Sequence, residues 1–371
     1  MEARKNHPLL DPMPMISQRV KHLKPYDPVS SLDTINQHPE ISHFKLDWNE
    51  TTVPPSPRVT EALVGYLNNG SKLQWYPKMH DKALFEKIAD YVGCQASQLI
   101  VTNGSDDALD LICQTYLDAE DNVVTPVPTY NHFIQFAERT GARVKKVLGD
   151  NPLVPSLKDV SRSVDGNTKV IYLVNPNNPT GNLYSPAEVL QLALRHPQCL
   201  IISDEAYFEF AGISCARLVD EIDNIVVTRS FSKCFGLAGM RIGYLVASDT
   251  VIGDLRRVHN PKSVNMLAQI AAIAALDDLP YYKSYIRSVK RSAIMVERFC
   301  NEREIPCWPT YANFILLRFD DASSMAKKLA EIGVHVRDRS TQIPGMIRIG
   351  LGTEEQTREV LARLDSILQE N

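Results

Sequence analysis

A single lysine, Lys233, stands between two valine-rich runs, with Ser230 and Ser232 just before it and Arg241 shortly after. A lysine amine becomes a nucleophile only where its surroundings depress its affinity for the proton. Hydroxyls and an arginine fork suit a phosphate, and Gly236 and Gly239 allow the chain between them to turn and pack closely. Three more clusters are chemically rich. The run Asn103, Gly104, Ser105 and Asp106 is a glycine turn leading toward a helix, whose free N–H groups and positive dipole end attract phosphate. Read alone, it is first of all a plain turn capped by Ser105. The stretch NPNNPTGN (175–182) has seven turn residues in eight, and its prolines would hold an amide side chain rigidly. DEAY (204–207) begins with an acid at the end of an apolar run. That acid is either surface charge opening a loop or a buried carboxylate able to meet a buried cation.

The elements that must carry these clusters follow from the apolar pattern. QLIVT (98–102) reads as a strand, followed by a helix with Leu109, Ile112, Cys113, Tyr116 and Leu117 on one face. Further strands are expected at 121–127, 169–174, 199–203, 224–228 and 241–247. They are apolar throughout, as strands buried on both faces are, and helical stretches such as 185–195 separate them. The pattern predicts a mainly parallel sheet with helices on both sides. Ligands of such sheets sit beyond the carboxyl ends of the strands, which is where every cluster above falls. The last hundred residues change character. Helices are expected at 283–303 and 322–332 and strands at 311–318, 334–337 and 346–351. A capping box from Thr353 to Gln356 opens a final helix bearing Val360, Leu361, Leu364 and Leu368. The organisation expected is a mobile tail (1–18), an N-terminal arm (19–50), a large domain (51–264) and a small domain (265–371). A helix around 250–280 should join the two domains.

Composition narrows the classes. The chain has 371 residues, room for roughly two domains, and is 44% hydrophobic and 23% charged. A net charge of −4 gives no reason to expect nucleic acid as a partner. The seven cysteines form no C-x-x-C pair and are odd in number, which suggests reduced core thiols in a cytoplasmic protein. The N-terminus has no sustained apolar run of the signal-peptide kind, and no window approaches a membrane span. No internal repeat, metal motif or phosphate loop of the G-x-x-x-x-G-K type occurs. Gly212 to Ala216 narrowly misses a nucleophile elbow, lacking the final glycine.

In order and spacing, NPNNPTG (175–181), DEAY (204–207), SFSK (230–233) and LAGMRIGY (237–244) resemble the fold-type I pyridoxal-phosphate (PLP) aminotransferases. The resemblance runs from about residue 20 to 368 and is strongest to the histidinol-phosphate aminotransferase branch. LKPY (23–26), WYP (75–77), PTY (128–130), VR (336–337) and IRI (347–349) match it too. The resemblance implies an α/β fold of this type: a large domain with a mainly parallel seven-stranded sheet, and a smaller α+β C-terminal domain. It also implies a homodimer with shared active sites.

By the same resemblance, PLP is held covalently on Lys233 and Asp204 pairs with its ring nitrogen. Asn178 and Tyr207 meet the phenolic oxygen, and Tyr130 stacks on the ring. Ser230, Ser232, Arg241 and the backbone of Gly104, Ser105 and Asp106 hold the cofactor phosphate, with Tyr76 arriving from the neighbouring subunit. Arg348 would clamp the substrate carboxylate. Arg337, and Tyr26 from the neighbour's arm, would meet a distal phosphate or carboxylate, and Asn49 belongs to the substrate pocket. The reaction implied moves an amino group from an amino acid or phosphorylated amine to a 2-oxo acid such as 2-oxoglutarate, with ping-pong kinetics.

The chain departs from the branch around the substrate. It reads WNETTVP (48–54) where Asn-Glu-Asn-Pro is usual, and YPKMH (76–80) where an acidic residue follows Tyr-Pro. HNPKSVN (259–265) stands where a tyrosine and asparagine are frequent, so Lys262 either contacts an anion or is solvated. The cofactor set is intact while the substrate surroundings differ, which is compatible with a specialised biosynthetic aminotransferase of this branch acting on another amino acid or a phosphorylated amine. Two rivals differ in testable ways. A threonine-phosphate decarboxylase would keep the same lysine and aspartate but need no oxo-acid acceptor. A nucleotide-binding α/β protein such as a dehydrogenase would need a G-x-G-x-x-G turn, and the glycines at 236, 239 and 243 have the wrong spacing.

Overall fold

The computed structural model of the chain describes residues 15–25, 30–149, 151, 153 and 156–369. Its strands, in chain order, are β1 (Phe44–Lys45), β2 (Leu99–Thr102), β3 (Asn122–Pro126), β4 (Arg143–Val147), β5 (Thr168–Val174), β6 (Leu200–Asp204) and β7 (Ile225–Ser230). There follow β8 (Gly243–Ala247), β9 (Cys307–Trp308), β10 (Phe314–Arg318), β11 (Val334–His335), β12 (Arg337–Asp338) and β13 (Met346–Gly350).

Seven strands form the central sheet in the order β2-β8-β7-β6-β5-β3-β4. All neighbours run parallel except β8, which is antiparallel to both β2 and β7. The fold is thus the expected α/β one. Successive side chains alternate between two apolar clusters, as strands with two covered faces require. Ile100, Val123, Val170, Ile202, Val226 and Leu245 enter one cluster, while Leu99, Val124, Ile171, Ile201, Val227 and Val246 enter the other. β4 was not foreseen: RVKKV is a half-exposed edge strand whose lysines mask its pattern.

A second sheet, β12-β13-β10-β9, is antiparallel and packs with the helices Leu279–Glu302, Ala322–Glu331 and Glu354–Gln369. The last of these opens as expected. Gln356 accepts from the Thr353 amide at 2.9 Å, and its own amide donates to the Thr353 hydroxyl at 3.3 Å. Two expectations are corrected. The single strand at 334–337 is two: Val336 separates β11, which pairs in parallel with β1, from β12 in the other sheet. The joining helix around 250–280 is also two, Asp249–Leu255 and Met266–Leu276, separated by a segment containing Pro261, which cannot continue a helix. The second packs against the helices Pro57–Asn68 and Lys82–Val92. Among the described residues no helix is long and apolar enough to cross a membrane. All seven cysteines are free, five of them buried.

Candidate active site

The carboxyl ends of β5, β6 and β7 converge. Asp204 is the last residue of β6 and is 3% exposed. Its Oδ2 accepts from the Tyr172 hydroxyl on β5 at 2.8 Å and its Oδ1 from the Thr228 hydroxyl on β7 at 3.1 Å. No cation pairs with it among the described residues. Burial pushes its carboxyl up to about 6, against the pull of those two hydroxyls. A carboxylate buried without a counter-cation is expensive, so the position calls for a cationic ligand.

Lys233 lies on the turn after β7. Its ammonium donates to the Trp48 carbonyl at 2.8 Å. Burial, followed by the Arg348 charge, lowers its pKa to about 8, with Glu50 and Asp106 pulling the other way. The amine is therefore partly neutral near physiological pH.

The helix Ser105–Tyr116 starts beside it. Gly104 has φ +84°, and a Cβ there would lie 2.6 Å from Arg241 Nη2, so the guanidinium rests on the glycine backbone. Arg241 also approaches Asp106 at 3.6 Å. A Cβ on Gly243 would lie 2.7 Å from the Ser105 nitrogen, so β8 abuts the helix start only because both glycines lack side chains. Ser230 Oγ accepts from the Ser232 amide at 3.0 Å, and the Tyr130 hydroxyl donates to Asp106 at 2.9 Å. Hydroxyls, a guanidinium and helix-start amides thus gather as a phosphate requires.

Arg348 of β13, 3% exposed, lies near enough for its charge to act on Lys233 and Tyr207. It donates to Asn178 Oδ1 at 2.6 Å and to the Asp47 carbonyl, while its buried Nε has no hydrogen-bond partner among the described residues. Burial and the neighbouring Arg339 charge disfavour its charged form, a tension that an anionic ligand relieves. Tyr207 accepts from Asn49 Nδ2 at 3.0 Å and packs edge-on to Phe314, and burial raises its phenol above the ordinary value. Arg337 is the cross-strand neighbour of Arg348.

Two residues stand apart. Tyr76 is 74% exposed within one chain, its ring under the Lys262 ammonium at 4.7 Å. Tyr26 lies outside the described residues. Sequence reasoning missed others. Tyr172 and Thr228 hide inside apolar strand runs. Arg339 also reaches Asn178 Oδ1, at 3.3 Å, from a loop that carried no motif. The buried acid–cation pair considered for DEAY is formed by Glu205, not Asp204. Arg229 donates through Nε and Nη2 to Glu205 Oε2 at 3.1 and 3.0 Å, both side chains being buried.

With this geometry in hand, comparison with known proteins is decisive. The family model for aminotransferase class I and II matches residues 42–364. The chain belongs to that family. It is 34% identical over 354 residues to the dihydroxyacetone phosphate transaminase of Campylobacter jejuni, covering 94% of this chain and 96% of that one. It is 32% identical to a Geobacillus histidinol-phosphate aminotransferase over 366 residues, covering 96% and 98% of the two chains. A solved histidinol-phosphate aminotransferase from Sinorhizobium meliloti, in complex with PLP, superposes with a TM-score of 0.86 at 22% identity, covering 97% of this chain and 99% of that one. This aminotransferase is therefore a PLP-dependent enzyme of the fold-type I class.

Proposed function

We propose that the enzyme moves an amino group between a phosphorylated amine or amino acid and a 2-oxo acid, with 2-oxoglutarate as the first acceptor to test. One observation carries the assignment of roles: Asp204, a buried carboxylate with no counter-cation among the described residues, ends β6, while Lys233, whose pKa burial lowers to about 8, follows the neighbouring β7, and both feel the charge of Asp106. These residues fit PLP. Asp204 would hold its protonated ring nitrogen and Lys233 its aldehyde carbon. When bound, the cofactor supplies the sink for the electron pair released at the substrate Cα.

The chain's own residues do the rest. The Lys233 amine would move a proton at the substrate Cα, and a pKa lowered to about 8 suits a base that must also act as an acid. Asn178 and Tyr207 would hydrogen-bond the phenolic oxygen, and Tyr130 would cover the ring face. Ser230, Ser232, Arg241 and the amides at Gly104, Ser105 and Asp106 would hold the phosphate, completed by Tyr76 of a second copy. Arg348 would pair with a substrate carboxylate through its fork. Arg337, and Tyr26 from the second copy, would meet the distal anion, with Asn49 at the pocket wall.

The same reading divides the chain into a tail (1–18), an arm (19–50), a large domain (51–264) and a small domain (265–371). A homodimer is supported by the apolar side chains left bare on one chain: Leu73, Trp75, Tyr76 and Met79 are 58%, 61%, 74% and 46% exposed. The free thiols favour a reducing, cytoplasmic setting.

The test is a spectrum of the PLP-loaded protein titrated with histidinol phosphate and, separately, L-glutamate, followed by product analysis with and without 2-oxoglutarate. Loss of the visible cofactor band with about one carbonyl product per site is expected without acceptor, and repeated turnover only with 2-oxoglutarate present. Repeated turnover without an acceptor, or a band that neither amine changes, overturns the proposed substrate class.

A further inference from the structure

Asp204 does not stand alone, and the residue that holds it comes from inside the core. Tyr172, midway along β5, is fully buried. Its ring stacks on Phe133 with centroids 3.7 Å apart and planes 17° from parallel. Its carbonyl accepts from the Thr125 hydroxyl at 2.9 Å. Ring and backbone are thus both fixed, and the hydroxyl reaches across to the end of β6, 2.8 Å from Asp204 Oδ2. Thr228 binds the other oxygen from β7, on the opposite side. Each carboxylate oxygen receives one side-chain donor from a flanking strand, and the Ala206 backbone amide also favours the ionised carboxylate.

We propose that Tyr172 is a positioning residue of this aminotransferase: acting through Asp204, its phenol fixes the orientation and charge of the carboxylate that meets the cofactor's ring nitrogen. The proposal rests on the role given to Asp204 above. Its physical basis is that a carboxylate must be ionised to hold a protonated nitrogen, and burial opposes ionisation at this site. The titratable groups around the pair compound the problem rather than solve it. Asp106, at the start of its helix, repels a charge on Asp204, and Tyr130 and Tyr207 carry no positive charge. The two hydroxyls and the Ala206 backbone amide remain, and Tyr172 makes the shorter of the two side-chain hydrogen bonds, 2.8 against 3.1 Å. Burial keeps its phenol protonated, so it donates at every working pH.

The experiment is Tyr172→Phe, which keeps the ring, the stack on Phe133 and the core volume while removing one hydroxyl. Loss of one hydrogen bond to a charged group should weaken PLP affinity about tenfold. It should raise the acid limb of PLP binding by about one pH unit and lower kcat while leaving the KM for the amine unchanged. Thr228→Val, nearly isosteric, should act in the same direction and serves as the test if the tyrosine variant does not fold. In an Asp204→Asn background, Tyr172→Phe should change PLP affinity by less than about twofold, because the residue through which it acts is already neutral. Wild-type affinity and an unmoved acid limb in Tyr172→Phe overturn the proposal, as does a full tenfold loss in the Asn background. Failure of the unaltered protein to take up PLP would instead refute the roles of Lys233 and Asp204.

Discussion

Lys233 shows how much of an active site is set by what surrounds a single nitrogen. Its nearest hydrogen-bond acceptor is the Trp48 carbonyl rather than a carboxylate. Burial and Arg348 outweigh the pull of Glu50 and Asp106 and lower its pKa to about 8. The sign of the consequence is definite. On the role proposed for Lys233, its neutral amine attacks an aldehyde, so uptake of PLP by the cofactor-free protein should accelerate about tenfold per pH unit below 8 and level off above it. Stopped-flow absorbance from pH 6 to 9 would check this, and a flat profile would refute it. Lys233→Ala should abolish the covalent link, so that denaturation and gel filtration strip all cofactor absorbance from the variant. Retained absorbance would mean that another amine carries the cofactor.

At the scale of elements, the site depends on close approaches that only particular residues permit. The start of the helix Ser105–Tyr116 is wedged between Arg241 and β8 by Gly104 and Gly243. Gly104→Ala would force a Cβ into the Arg241 guanidinium at a positive φ, and should weaken PLP affinity at least tenfold with the sheet intact. Equilibrium dialysis against PLP measures it. Beneath the sheet end, Arg229 is closed in by Glu205, Ser214 and the Phe208 ring, 3.5 Å away, and the Glu209 carboxyl is pushed up to about 7 by its burial. Arg229→Met would leave buried carboxylates without their cation, and should lower stability by about 3–5 kcal/mol in urea unfolding.

These cases also show what the sequence could reveal. Strands buried on both faces announced themselves as unbroken apolar runs, and the residues just past their ends were easy to find. Edge strand β4 was hidden by its lysines, and the break near Pro261 lay in a stretch that still carried helical spacing on both sides. Tyr172 and Thr228 were invisible for a different reason. A residue inside a buried strand reads as core whatever its polar atom does, and only the pairing of β5, β6 and β7 shows that both hydroxyls reach Asp204. Arg339 depends on the fold of a loop, which no spacing rule anticipates.

At the scale of the whole molecule, Tyr76 is exposed on one chain although the family resemblance gives it work at a cofactor. If two copies exchange that residue, Lys233→Ala and Tyr76→Ala damage opposite halves of each site. Unfolding and co-refolding the two inactive variants together should then yield hybrid dimers with one intact site each, recovering roughly a quarter of the wild-type rate by random assortment. Recovery indistinguishable from zero would argue that each chain is self-sufficient.

The register of the smaller sheet carries a consequence of its own. Arg337 and Arg348 face one another across β12 and β13, and such partners hold their Cβ atoms about 5 Å apart on one side of a sheet. On the proposed roles, those two strands act as a gauge. The gap between the two anions of a productive substrate is set by backbone hydrogen bonding, not by a pliable loop. Homologous amines lengthened or shortened by one methylene would meet that gauge as a mismatch, whichever chemical group they carry at the far end.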